Sequence, residues 1–335
     1  MLFQKNINYV FLSNKRTFIC LSIFLTFIKI SQAQSPNFSY PFGDRILLNP
    51  ALAGSTICPE LNINYKNTYF NNFSNFNTSS FSYDRKIDKI SGGLGFHILN
   101  DSQFNNTINT ISISSIYSYH LKTKIKYHIN FAFEISYIRK QIKPDKLIFS
   151  NMINPYTGTI DFSNSENISQ NTKQNIDFSV GMVYYSKKYF SGFAIHHINS
   201  LFDKENNIFA IKYSAYFGKR FSFTNFDSEK NEILLLPNII VNLQYNYANI
   251  NYGIIFKKSF FSTGIWLKHN QKIHTFTPIF LVELNIKRCR ISYTYDIQFS
   301  KYVTMPIQTN ELSMSYLLNC GKKIDIKNTI YCPNF

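Results

Sequence analysis

Tyr127-His128-Ile129-Asn130-Phe131-Ala132-Phe133-Glu134-Ile135-Ser136-Tyr137 decides the fold. Every odd position is apolar or aromatic, and the even positions are polar or small. A β-strand throws successive side chains to opposite faces, so this period of two predicts a strand between two unlike environments. The stretch before it repeats the pattern. Ile111, Ile113, Tyr117 and Tyr119 face one way, and Ser112, Ser114 and Ser118 the other. So do Ile176, Phe178, Val180, Met182 and Tyr184 against Asp177, Ser179 and Gly181, and Leu312, Met314, Tyr316 and Leu318 against Ser313 and Ser315. The pattern places fourteen strands near 61–67, 78–85, 92–100, 107–120, 126–139, 174–185, 189–199, 207–218, 234–244, 248–256, 260–268, 275–285, 290–298 and 310–318.

A tilted strand of about 9–11 residues crosses an outer membrane, and these segments suit that length. In lipid an open sheet edge would leave backbone groups unpaired, so the sheet has to close. The expected fold is therefore all-β, a transmembrane antiparallel up-and-down β-barrel of about fourteen strands. Tyrosines at strand ends fit aromatic girdles better than they fit a soluble sandwich. An Arg at Phe131, on the lipid side, should then be costly. The same change at Ala132 should be milder if the lumen there is roomy.

Composition agrees. Aromatic residues make up 17% of the 335-residue chain and charged residues only 16%. Residues 1–33 read as a signal peptide: Lys5, Lys15 and Arg16 lead an apolar run from Phe18 to Ile30, and Ser31-Gln32-Ala33 offers a cleavage site. Removing its four basic residues lowers the formal net charge from +16 to +12. Such a charge raises nucleic acid as a partner, but export and the placement of the charges argue against it.

The charges cluster in alternate turns. They are Lys86 with Lys89, Lys122 with Lys124, Lys187 with Lys188, Lys219 with Arg220, Lys257 with Lys258, and Lys287 with Arg288. With fourteen strands all these turns share one end of the barrel with both termini. The opposite end carries the longer connections, notably Lys140 to Lys173 and Phe299 to Thr309. Barrels have short periplasmic turns and long outer loops, so the basic end is expected to be periplasmic.

Between the signal and the first strand lies Phe42-Gly43-Asp44-Arg45-Ile46-Leu47-Leu48-Asn49-Pro50-Ala51-Leu52-Ala53-Gly54. Pro50 pushes Asn49 out of the helical region, and Gly54 permits a turn that other residues resist. The family motif is Asn49, Pro50, Ala51, Ala53 and Gly54. With Gly92-Gly93-Leu94-Gly95 running into Asn100-Asp101, and with the terminal Cys332-Pro333-Asn334-Phe335, it resembles the PorP/SprF family. Those are Bacteroidetes outer-membrane proteins of type IX secretion and gliding motility. The resemblance implies a non-enzymatic barrel in the cell outer membrane, bounded by lipid. It would link a secreted or surface-displayed client protein to periplasmic type IX secretion components. A porin or hydrophobic-solute channel is the alternative.

The expected domain layout is a signal peptide over 1–33, a periplasmic lead-in over 34–60, the barrel over 61–318 and a periplasmic tail over 319–335. Both termini would then be periplasmic. Lys187, Lys188, Lys257, Lys258, Lys287 and Arg288 would form a basic docking rim. Four cysteines remain after export, Cys58, Cys289, Cys320 and Cys332, and allow three connectivities. Cys320 and Cys332, close in sequence beyond the last strand, are the first expected pair.

No catalytic, cofactor or metal constellation emerges. There is no C-x-x-C spacing and no Gly-x-Ser-x-Gly elbow. Glu134 and Asp177 would face the lumen as polar lining. A strand would throw the adjacent His196 and His197 to opposite faces.

Overall fold

The computed structural model describes residues 35–56, 58–70, 74–121, 127–143, 152–153, 157, 159, 171–203, 207–223, 233–245, 247–270, 274–301 and 303–320. One antiparallel sheet contains every strand described. It runs β1 (Glu60–Phe70), β2 (Ser74–Ile87), β3 (Gly92–Gln103), β4 (Ile108–Leu121), β5 (Tyr127–Ile142), β6 (Asn171–Ser186), β7 (Tyr189–His196), β8 (Lys212–Lys219), β9 (Phe221–Ser222), β10 (Ile233–Gln244), β11 (Tyr247–Lys258), β12 (Phe261–Asn270), β13 (Thr275–Ile286), β14 (Cys289–Ser300) and β15 (Val303–Leu317). Each long strand pairs with its sequence neighbour, and β1 pairs with β15, so the sheet closes on itself. The two-residue β9 continues β8. Gly218 opposes Asn238 and Phe221 opposes Leu235, so the register carries through the break at Arg220. The barrel thus has fourteen strands with one extra short piece, as expected.

The facing follows the period of two. On β5 Phe131, Phe133, Ile135 and Tyr137 are exposed, whereas Asn130, Ala132, Glu134 and Ser136 are buried. On β15 Leu312, Met314 and Tyr316 point out while Glu311, Ser313 and Ser315 are buried. An apolar outside and a polar inside is the arrangement a barrel in lipid requires. Arg in place of Phe131 should therefore destabilise the folded barrel by about 2–4 kcal/mol. Urea unfolding from phospholipid vesicles would measure it.

Three expectations need correcting. First, the stretch Phe299 to Thr309 is not a long loop. β14 reaches Ser300 and β15 starts at Val303, with a register shift between Gln298 and Ser300 absorbing the irregularity around Pro306. Second, Cys58 pairs with Cys320 at a Cα–Cα distance of 4.9 Å, rather than Cys320 with Cys332. Closing the barrel brings the start of β1 beside the end of β15, so residues 262 apart in sequence meet there. Cys289 is a free thiol, and Cys332 lies outside the described residues.

The third correction concerns the lead-in, which lies inside the barrel. Tyr40, Phe42, Ile46, Asn49, Ala51, Leu52 and Ala53 are fully buried or nearly so. Pro50–Leu52 packs on β4, β5 and β6, and Ala132 belongs to the same buried cluster. The lumen at Ala132 is therefore filled, and the milder effect expected of Arg there does not follow. The signal segment, the turn at Lys122 and Lys124, most of the connection from Lys140 to Lys173 and the tail beyond residue 320 lie outside the described residues.

β7 ends early. β6 pairs with it only from Val180 to Tyr185, which leaves the β6 edge before Val180 without that partner. The connection after β7 covers part of this edge with side chains. Asn199 Nδ2 donates to Ile176 O and to Asn175 Oδ1, both at 2.9 Å.

Candidate functional site: a lead-in held in the lumen

Residues 35–56 run the length of the lumen as a short irregular chain. Ser35 N donates to Gln244 Oε1 at the last residue of β10, at the end away from the basic turns. Asn37 accepts from two strand lysines, with Lys66 Nζ on its carbonyl at 2.8 Å and Lys212 Nζ on its Oδ1 at 2.6 Å. Ser39 N donates to Glu311 Oε2 at 2.6 Å, and Ser39 Oγ to Asp296 Oδ2 at 2.9 Å. Tyr40 OH reaches Glu283, and its ring lies 5.7 Å from that of Trp266. Lumen-facing carboxylates on β13, β14 and β15 are thus taken up by lead-in donors, as buried acceptors must be.

The middle of the segment makes ionic contacts. Arg45–Leu48 forms one helical turn, and Arg45 is buried. Arg45 NH2 lies 2.5 Å from Glu60 Oε2 and 3.6 Å from Asp84 Oδ1. Arg290 of β14 meets the other Glu60 oxygen at 3.3 Å. Asp44 Oδ2 lies 3.0 Å from His97 Nε2 and accepts from Ser80 Oγ at 2.5 Å. These pairs draw on β1, β2, β3 and β14 at once.

The motif Asn49 to Gly54 is the seat. Asn49 caps the turn Pro50–Leu52, its Oδ1 accepting from Ala51 N at 2.9 Å. Its amide donates to Met182 O at 3.0 Å and to Phe193 O at 3.1 Å. One side chain therefore holds the turn and ties it to β6 and β7. Ala51 O accepts from Ser118 and Asn130, and Ala53 O lies 3.1 Å from His120 Nε2. Gly54 has φ +68° and donates its N–H to Asp84 Oδ2 at 2.8 Å. The wall makes room for this turn. A Cβ on Gly181 would strike Asn49 Oδ1, and one on Gly93 would strike the Ala53 carbonyl.

At the other end of the lumen His97, Glu134, Asp177, His196, His197 and Lys212 line one cavity. The two adjacent histidines do not diverge as expected. β7 stops at His196, and His197 turns into the left-handed region at φ 62°, which sets its Nδ1 2.5 Å from Asp177 Oδ2. Glu134 and Asp177 share this cavity as polar lining, Glu134 accepting from Ser136 at 3.1 Å. Among the described residues no group of His, Cys, Asp and Glu has the arrangement of a metal site.

The described basic turns share one end of the barrel. Lys187, Lys188, Lys258, Lys287 and Arg288 are exposed and Lys257 half-buried. Arg288 also bonds Asn319 beyond the last strand, and Lys219 lies over the rings of Tyr189 and Phe221. The turns at 187–188, 259–260 and 287–288 all share the end where β1 starts and β15 stops. The sequence pattern put these turns at one end and missed the lead-in's partners. The polar inner rows of strands such as β5 and β15 were the signal available for those partners.

A closed fourteen-stranded barrel, apolar outside and threaded by its own N-terminal segment, is an outer-membrane type of protein. Residues 30–316 match the family described as type IX secretion system membrane protein PorP/SprF, and the chain belongs to that family. This is a family of secretion-system membrane proteins. No curated protein matches the chain in sequence. Among solved structures, the toluene transporter TbuX of Ralstonia pickettii is 9% identical, with a TM-score of 0.52 over 82% of this chain and 93% of its own. The CymD monoaromatic hydrocarbon channel is also 9% identical, with a TM-score of 0.47 over 85% of this chain and 94% of its own. A FadL homologue of Pseudomonas aeruginosa is 10% identical, with a TM-score of 0.47 over 86% and 100%. At such identities the likeness to TbuX speaks for the barrel fold alone.

Proposed function

We propose that this protein is a non-conducting anchor of the type IX machine. It would hold a secreted or surface-displayed client at one end and a periplasmic component of the machine at the other. The observation that carries this reading is the filled lumen. The lead-in bonds wall residues on β1, β2, β3, β4, β5, β6, β7, β8, β10, β13, β14 and β15, so the interior serves as a brace. A porin or hydrophobic-solute channel has less support, because Pro50–Leu52 and its neighbours fill mid-lumen.

In this reading residues 1–33 direct export, and the basic end faces the periplasm with the 319–335 tail. Lys187, Lys188, Lys257, Lys258, Lys287 and Arg288 steer an acidic partner surface to the rim. The connection from Lys140 to Lys173 faces the client. Reversing the charges of the three turns should cut recovery of the periplasmic partner in pull-downs at low salt and leave the heat-modifiable barrel intact. Recovery unchanged across a salt series would sink the rim mechanism. Planar-bilayer recordings of the wild type should show little conductance, and large steady pores would favour the channel instead.

A further inference from the structure

We propose that the outer edge of β6, from Thr172 to Phe178, takes an extended acidic segment of the client as an added strand. This rests on the reading that the end away from the basic turns faces the client. β6 pairs with β5 without a register shift from Asn171 to Ser186, but with β7 only from Val180 to Tyr185. β8 starts at Lys212, opposite His196, the last residue of β7. β5 and β6 therefore stand taller than the wall beside them.

Successive residues of a paired strand turn their backbone groups to alternate sides. Ile176 O accepts from Asn199, in the connection after β7, so the even-numbered residues here turn their N–H and C=O groups away from β5. Among the described residues no backbone group bonds those of Thr172, Gln174 or Phe178 on that side. The cover over the edge is made by side chains: Asn199 on Asn175 and Ile176, Asn207 on Asn175, and His197 on Asp177. A strand laid along the edge would replace them with a ladder of main-chain bonds. The edge also lies past the lipid. Tyr137 opposes Ile176, and one step further out Arg139, an exposed charge on the outer face, opposes Gln174.

Charge selects the partner. Lys140 and Lys173 stand directly opposite each other across β5 and β6, a like-charge pair that costs stability. Asp101 is the carboxylate that faces Lys140, and it already accepts from Thr78 and Gln103. Asp177, further down β6, is held by His197. An added strand with Glu or Asp beside Lys173 relieves the repulsion. A second copy of this edge would instead bring another Lys173 to it, which is how a lysine guards an edge against its own kind. The edge thus accepts an acidic strand and rejects a basic one.

Fluorescence anisotropy tests it, with a short labelled peptide alternating Val and Glu, titrated with the mature barrel in neutral detergent. A peptide alternating Val and Lys is the counterpart. The acidic peptide should bind saturably and the basic one should not. Gln174→Pro removes an N–H from the open side and none from the β5 ladder, a place where an edge strand tolerates proline, so the heat-modifiable barrel should persist. It should weaken the acidic peptide by about fivefold or more, the loss of one ladder hydrogen bond. Lys173→Glu should weaken it too and turn the preference towards the basic peptide. Full affinity in a folded Gln174→Pro barrel would put the peptide elsewhere, as on the basic turns, and overturn the assignment. No binding by the wild type, equal binding of the two peptides, or an unchanged preference in Lys173→Glu would overturn it as well. Rim docking and conductance are read separately, so the edge can fail while the anchor reading stands.

Discussion

Arg45→Ala should destabilise the barrel by about 3–5 kcal/mol, the usual cost of stranding a buried charge partner. Arg45 is 2% exposed, and it faces Glu60 and Asp84, which are 3% and 0% exposed. Removing the guanidinium leaves Asp84 with the Gly54 N–H as its neighbour and Glu60 with Arg290 alone. The loss also bears on the lead-in, because Arg45 is its strongest ionic tie to β1 and β2. Two readouts should therefore move together: the urea midpoint falls, and single-channel openings appear in planar bilayers as the lead-in loosens. Arg45→Lys should recover part of the stability, since the charge returns without the planar fork. A stable, silent Arg45→Ala barrel would mean that the segment is held by its backbone contacts at Asn49 to Gly54 alone.

Much of this architecture was legible beforehand, and the reason is simple. Each strand separates lipid from the barrel interior, so Phe131 and Ala132, or Leu312 and Ser313, had to differ, and period two recorded it. All fourteen expected segments overlap observed strands. What failed was whatever depends on closure. No periodicity marks Phe42 to Gly54, because an irregular chain inside a barrel has partners on every side rather than on alternate faces. Asn49 looked like a residue before a proline, and nothing local says that its amide reaches β6 and β7. Gly181 read as an ordinary strand position and Gly93 only as part of a family-like stretch, although both are clearances for the motif. His196 and His197 were misjudged because alternation holds only within a strand, and the left-handed turn at His197 ends it.

Cys58→Ser is expected to cost up to about 5 kcal/mol in the chain-entropy account, because the bond closes a very long loop. Cys58 and Cys320 lie 262 residues apart in sequence and meet at one end of the strand seam that closes the barrel, beside the pair Glu60 and Leu317. The same seam is already held by ten residue pairs between β1 and β15, so part of that constraint is redundant once the barrel has formed. The larger effect should therefore be kinetic, in assembly: without the bond, β1 must find β15 unaided, and non-local pairings of this kind are slow to form. Refolding into vesicles, followed by the shift between unboiled and boiled gel bands, should slow for Cys58→Ser and equally for Cys320→Ser. Cys289→Ser should match the wild type, since Cys289 is a free thiol. Peptide mapping without reductant should recover Cys58 joined to Cys320. A Cys320–Cys332 peptide in membranes isolated without reductant, with Cys58 free, would replace this seam lock by a tail loop and remove the basis for the assembly effect.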